Sequence, residues 1–165
     1  TCVLFGDGAG AVILSGEVGT RGALATRLHA DGQHNELLYV DGGVSTTGTA
    51  GHLRMQGNAV FRHAVEKLAA TAHAALEKTG LGSADVDWIV PHQANLRIIT
   101  ATAQRMNVPM ERVVLTVQDH GNTSAASIPL ALSVGKERGQ IKRGDLIVTE
   151  AIGGGLAWGS VVLRW

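Results

Sequence analysis

Val86-Asp87-Trp88-Ile89-Val90-Pro91-His92-Gln93-Ala94-Asn95-Leu96-Arg97-Ile98-Ile99-Thr100-Ala101-Thr102-Ala103-Gln104-Arg105-Met106 is the stretch that decides the fold. The short apolar run 86–90 reads as a buried strand, and 96–106 reads as a helix. The same alternation then repeats. Residues 113–117 form a second strand, 125–137 a second helix and 146–151 a third strand. Gly153-Gly154-Gly155 turns the chain, and 158–165 runs out as a last strand. Strand–helix–strand–helix–strand predicts a parallel α/β sheet. Right-handed crossovers place both helices on one face if the strands are added in one direction.

Upstream, 58–78 is the clearest helix. Val60, Phe61, Ala64, Val65, Leu68, Ala69, Ala72, Ala75 and Leu76 recur at helical spacing. Asn58 can cap it and Gly80 ends it. Residues 41–52 are small and polar and read as a loop or flap. At the N-terminus, 1–5 and 11–14 read as strands flanking Gly6-Asp7-Gly8-Ala9-Gly10, and 23–29 reads as a third. A strand at the first residue suggests a chain cut within a sheet.

Composition narrows the class. The 165 residues are 45% apolar, 17% charged and 4% aromatic, with 14 basic and 14 acidic side chains and zero net charge. One cysteine cannot build a disulfide scaffold. The apolar content is too high for disorder, and no run approaches a membrane span of ~18 residues. No signal peptide is visible. Zero net charge argues against bulk nucleic-acid binding. Glycine, 22 of 165, is about twice its usual ~7%.

In a parallel sheet, ligands bind beyond the carboxyl ends of the strands. Three loops leave such ends here: 91–95, 118–124 and 151–155. They bring His92, Asn122 and a glycine turn towards one crevice. Each alone has a plainer reading, as a bonded loop histidine, a helix cap and a tight turn. Together they suit stabilisation of a developing oxyanion, because neutral His and Asn N–H groups are donors to an enolate or tetrahedral oxygen. A nucleophile is missing: Cys2 sits at a strand start, and Ser124 and Ser127 lack a nucleophile elbow. Gly6-x-Gly8-x-x-Ala11 satisfies a dinucleotide fingerprint in letters, but a β-branched run follows where a helix is required. No zinc-like histidine spacing appears, so no metal site is expected.

At FGDGAGAVIL (5–14), LHADG (28–32), MQGNAVFRHAV (55–65), DWIVPHQANLRIITATAQRM (87–106), HGNTSAASIPLAL (120–132) and GDLIVTEAIGGGLAWGSVVLRW (144–165), the chain resembles the C-terminal part of β-ketoacyl-acyl-carrier-protein synthase III. This is a condensing-enzyme family of the thiolase superfamily. The resemblance implies a layered αβαβα fold of two similar halves. Residues 1–50 would end the first half, and 51–165 would form most of the second. It implies acyl transfer from acyl-CoA to a cysteine, then decarboxylative condensation with malonyl-acyl carrier protein in bacterial fatty acid initiation.

By the same resemblance, His92 and Asn122 match the catalytic His and Asn, while the nucleophilic Cys lies upstream and Cys2 does not match it. Met55, Gly57, Val60, Phe61, Ala64, Ala94, Asn95, Ile98, Ile152, Gly153 and Gly154 match positions lining the pantetheine tunnel and acyl pocket. Ile152 stands where relatives often carry Phe, which leaves acyl preference open. Arg97 matches a carrier-protein docking residue, and Arg62 and Arg105 extend that patch. Expected partners are acyl carrier protein, acyl-CoA, the missing N-terminal half and a second copy in a cytoplasmic homodimer. No metal or nucleotide cofactor, nucleic acid or membrane is expected. Rival readings are a related acyltransferase of secondary metabolism and a non-catalytic half-fold subunit.

Overall fold

The computed structural model describes residues 2–165, without the side chain of Cys2; whether the Cys2 thiol is placed to act as a nucleophile therefore lies outside the described residues. In chain order the elements are β1 Gly22–Ala30, a 3-10 turn Gly32–Leu37, β2 Leu38–Val40, β3 Leu53–Met55 and α1 Gly57–Glu77. There follow β4 Trp88–Pro91, α2 Leu96–Arg105, α3 Val117–His120, α4 Ser127–Glu137, β5 Leu146–Gly153 and β6 Ala157–Arg164. The main sheet has the order β1-β6-β5-β4. β4 and β5 are parallel, whereas β6 is antiparallel to both β5 and β1. β2 and β3 form a small separate hairpin around the 41–52 loop.

The strand expected over 113–117 is reduced to one parallel bridge, Val113 to Ile89, with the Val114 N–H donating to the Ile89 carbonyl at 2.9 Å. The chain then turns into α3. This bridge lies on one side of β4 and β5 lies on the other. Strand addition therefore reverses direction at β4, and right-handed crossovers then put successive helices on opposite faces. That corrects the one-face expectation. Ile89, Val148 and Val162 pack with Ala72, Leu76, Ile99 and Met106 of α1, α2 and the chain just beyond α2. Their strand neighbours Val90 and Ile147 pack with Ala131 of α4 and with Val114.

Gln93 makes the short bridge sufficient. Its side chain is 0% exposed. Nε2 donates to the carbonyls of Pro91 (2.9 Å) and Val114 (3.1 Å). Oε1 accepts from the N–H groups of Thr116 (2.8 Å) and Val117 (3.1 Å). The amide thus replaces backbone pairing where the two segments diverge, and it meets the rule that buried polar groups are paired.

α1 begins at Gly57 after Gln56, one residue ahead of the expected Asn58 cap, and no side chain caps it. Of the predicted face, Val60, Ala64, Leu68, Ala69, Ala72, Ala75 and Leu76 are buried, Phe61 and Val65 are only half-buried at its edge, and Thr71 is added. The N-terminal segment differs more. Residues 2–4 form a 3-10 turn, Phe5 makes a lone bridge to Asn122, and 11–14 pair with no strand among the described residues. A strand needs a neighbour's N–H and C=O groups, and none among the described residues pairs with 11–14; Ile13 is 96% exposed. Gly6 is required by close approach, since any Cβ there would collide with the His120 carbonyl. No helix follows Gly10, so the dinucleotide reading has no structural support.

Beneath α1 the buried Thr71, Ser160 and Glu150 are neighbours, with Ser160 opposite Glu150 in the β5–β6 register. Ser160 Oγ donates to the Thr71 carbonyl at 2.8 Å. Glu150 is 2% exposed, and burial alone pushes its carboxyl up to about 8 from 4.5.

Two stability predictions follow from these groups. Gln93→Leu should lower unfolding free energy by about 3 kcal/mol or more, because two buried N–H groups and two carbonyls lose their partner. A urea midpoint close to wild type would contradict this. Glu150 keeps its proton when folded and loses it when unfolded over pH 4.5–8. Its contribution is fully present below about 4.5 and is lost as pH rises through about 8. Glu150→Gln should flatten the fall of stability across that window, measured as urea midpoints at pH 5, 7 and 8.5.

Candidate functional site

The ends of β4 and β5, the loop before α4 and the β2–β3 hairpin enclose a cavity of about 390 Å³. Of the residues expected to line it, Met55, Val60, Ala94, Asn95, Ile98, Ile152, Gly153 and Gly154 do so, with His92 and Asn122. Gly57, Phe61 and Ala64 are not brought to its wall. Gly57 opens α1 in free space, whereas Ala64 and Phe61 pack behind the wall with Leu68, Ile98 and Ile152. Leu38, Tyr39, Val40 and Leu53 of the hairpin also line it, as do Leu4 and Phe5. Sequence reasoning missed the hairpin residues because a three-residue strand carries almost no periodic signal, and Leu4 and Phe5 because the contact of the N-terminal segment with the Asn122 loop is tertiary.

His92 follows β4 directly. Its N–H donates to the Glu150 carbonyl at 2.8 Å, which extends the β4–β5 ladder by one residue. Its Nδ1 lies 2.7 Å from Ser127 Oγ. The same hydroxyl accepts from the Gln93 N–H at 3.1 Å. An acceptor so placed can give its own proton to Nδ1, which leaves Nε2 as the N–H of a neutral ring. Burial lowers the His92 pKa, and the Ser124 backbone opposes this only in part. The ring is therefore neutral near pH 7.

Asn122 sits on the loop after α3. Its Oδ1 accepts from the Ser124 N–H at 2.9 Å, an Asx turn. That bond identifies the oxygen and leaves the Nδ2 donors turned away from the turn. The backbone is clamped from the other side, where the Gly6 N–H donates to the Asn122 carbonyl at 2.9 Å. Ser124 has φ 54°, a left-handed conformation uncommon outside glycine. Asn122 is thus a turn former and not a helix cap, since α4 starts at Ser127.

A second, more open cleft of about 580 Å³ lies on the α4 side. Leu28, Ala151, Ser127 and Trp158 line it, and it shares His92, Ser124, Ile152 and Gly153 with the first. His92 stands where the two spaces meet. Such a group can face a ligand entering through one cavity while its reaction partner occupies the other.

At the outer rim, Asn95 caps α2 by accepting from the Ile98 N–H at 2.9 Å. Arg97 projects from the first turn of α2, with its guanidinium 5.3 Å from the Phe61 ring centre. Arg62 and Arg105 are exposed on α1 and on the last turn of α2. Among the described residues, no group of three His, Cys, Asp or Glu side chains could hold a metal, and no helix is long and apolar enough to cross a membrane.

Comparison with known proteins bears directly on this arrangement. Residues 76–165 match the model of the 3-oxoacyl-[acyl-carrier-protein] synthase III C-terminal family, and 1–32 match that of a second synthase III family. A β-ketoacyl-[acyl-carrier-protein] synthase III of Cereibacter sphaeroides is 81% identical over the whole chain and 52% of its own length. One from Rhodobacter capsulatus is 78% identical, again over the whole chain and 52% of the relative. The crystal structure of 3-oxoacyl-[acyl-carrier-protein] synthase III from Aquifex aeolicus superposes with TM-score 0.93 at 47% identity, covering all of this chain and 51% of that one. That from Pseudomonas aeruginosa gives 0.84 at 39% identity, covering 92% and 47%. The chain spans about half the length of the curated relatives it matches. Its thiolase-like α/β layering, the His92–Asn122 crevice and these matches together place the chain in the 3-oxoacyl-[acyl-carrier-protein] synthase III family.

Proposed function

We propose that this chain supplies the His–Asn half of a condensing acyltransferase active site. The complete enzyme joins an acyl group, delivered by acyl-CoA to a cysteine, with malonyl-acyl carrier protein and releases carbon dioxide. The observation that carries this reading is the presence of His92 and Asn122 on one cavity wall, each with its other polar atom occupied. The neutral Nε2–H of His92 and the Nδ2–H of Asn122 would hold the malonyl thioester oxygen as decarboxylation turns it into an enolate. Two pre-fixed donors lower that barrier because neither must reorganise as charge develops. The nucleophilic cysteine would come from the part of the relatives' length that this sequence does not cover.

The apolar cavity reaching from the α2 rim to His92 would take the pantetheine arm. Arg97, Arg62 and Arg105 would meet the acidic surface of the carrier protein, a local basic patch on a chain of zero net charge. Leu28 of β1 is 83% exposed and the 11–14 run is bare, which fits burial against the other half of the fold and in a homodimer. No metal or nucleotide cofactor is called for by this chemistry, and a cytoplasmic setting suits both substrates.

In an enzyme of the relatives' length that carries this sequence, His92→Ala or Asn122→Ala should slow malonyl-carrier decarboxylation roughly 10²–10³-fold, the cost of one oxyanion donor. Acylation by acyl-CoA should persist. Equal loss of both steps would contradict the assigned roles. Arg97→Glu should raise the apparent KM for malonyl-carrier protein several-fold at low salt and leave that for acyl-CoA near wild type. An unchanged carrier KM would remove the docking role.

A further inference from the structure

Ser127 places a buried hydroxyl against His92. It opens α4, is 2% exposed and lies on the face that docks on the sheet. The buried residues of that face are Ser127, Ala131 and Gly135, four apart along the helix. Ala131 packs with Val90 of β4 and Ile147 of β5. A Cβ on Gly135 would come within 2.8 Å of Ile141. Side chains this small let α4 lie close to the sheet, and its first residue then reaches the end of β4, where His92 stands.

The Ser127 hydroxyl has two polar partners. The Gln93 N–H donates to Oγ at 3.1 Å, and His92 Nδ1 lies 2.7 Å from the same oxygen. A main-chain N–H can only donate, so Gln93 takes one lone pair of Oγ and leaves the hydroxyl proton free. Among the described residues, Nδ1 is the one acceptor with which that hydroxyl makes a hydrogen bond. In the reverse arrangement an Nδ1–H would fill the second lone pair, and the buried hydroxyl proton would have no acceptor, which folded proteins avoid. The Ser124 backbone also faces the ring and raises its pKa in part, but the short contact is the one to Ser127. With Nδ1 tied to α4, Nε2 is the nitrogen left to the two cavities that His92 lines.

We propose that Ser127 is a positioning residue for His92: its hydroxyl, fixed by the Gln93 N–H, donates to Nδ1 and so holds the ring in the tautomer that presents Nε2–H to the cavities. The hydrogen bond at one ring nitrogen decides what the other carries. Were the proton on Nδ1, Nε2 would present a lone pair and repel an oxygen that becomes negative during reaction. The same contact stops the ring from rotating. The proposal rests on the oxyanion role given to His92 above, but its spectroscopic test reads the ring and not turnover.

The test uses an enzyme of the relatives' length that carries this sequence, labelled with ¹⁵N-histidine, at neutral pH. His92 is assigned by its loss in His92→Asn. We expect a pyrrole-like Nε2, and a pyridine-like Nδ1 displaced part of the way by the hydrogen bond it accepts. In Ser127→Ala that displacement should vanish, and both nitrogens should move to intermediate positions as the ring exchanges between tautomers. The same variant should lose about tenfold in kcat for malonyl-carrier decarboxylation, the low end of what removing the partner of a functional histidine costs, with KM unchanged. A wild-type ring with its proton on Nδ1 overturns the proposal. So does a Ser127→Ala enzyme that is merely less stable, with wild-type nitrogen positions or wild-type kcat. If Ser127→Ala does not fold, wild-type Nδ1 decides: a displaced signal supports the proposal and an undisplaced one overturns it. Should His92→Ala leave decarboxylation intact, the oxyanion reading falls, while the nitrogen positions still decide whether Ser127 sets the tautomer.

Discussion

A single buried amide ties the site together. Gln93 occupies the point where β4 and the 113–117 segment part, and it bonds two carbonyls and two N–H groups that would otherwise lie unpaired. Backbone pairing cannot continue there, because 117–120 curls into α3 and carries Asn122 away from the sheet. The amide lets the chain leave the ladder without leaving its polar groups buried and unpaired. The main-chain N–H of the same residue bonds Ser127, and Ser127 bonds His92. The side chain of Gln93 thus fixes the start of the Asn122 loop, and its backbone ties His92 to the start of α4.

The electrostatics of the site follow from this packing and not from nearby charge. His92 is held neutral by burial. Asn122 cannot ionise at all. Donors of this kind suit a thioester oxygen that becomes negative only during reaction, because a permanent cation would bind anions in the resting state too. The full charges are kept at the rim on Arg62, Arg97 and Arg105, where solvent screens them and they can still attract an acidic partner. The reversal of strand addition at β4 creates the opening between these regions, since it sends α2 and α4 to opposite faces and leaves a crevice at the strand ends.

The N-terminal residues show the same physics in reverse. Residues 11–14 have strand composition and no strand, because β structure is a property of pairs of segments. Gly6 and Gly10 are small for a nearer reason: the chain lies against His120 and Pro129, with no room for side chains. Part of the glycine excess noted in the composition therefore serves to press one irregular segment onto the Asn122 loop.

Much of this was legible in the sequence. The α1 face appeared in the 3.6-residue spacing of its apolar residues, and β4, α2 and β5 appeared in short buried runs separated by loops. His92, Asn122 and the glycine turn were placed at one sheet edge by topology alone. Local periodicity carries that information because it records which face of each element avoids water. The 113–117 segment misled, since a buried apolar run reads the same whether the backbone pairs or a glutamine pairs in its place. The hairpin wall, the Gln93 clamp, the Ser127 contact and the burial of Glu150 were decided by tertiary structure alone. Each depends on which distant backbone group or neighbour comes within about 3 Å, and no spacing along the chain encodes that distance.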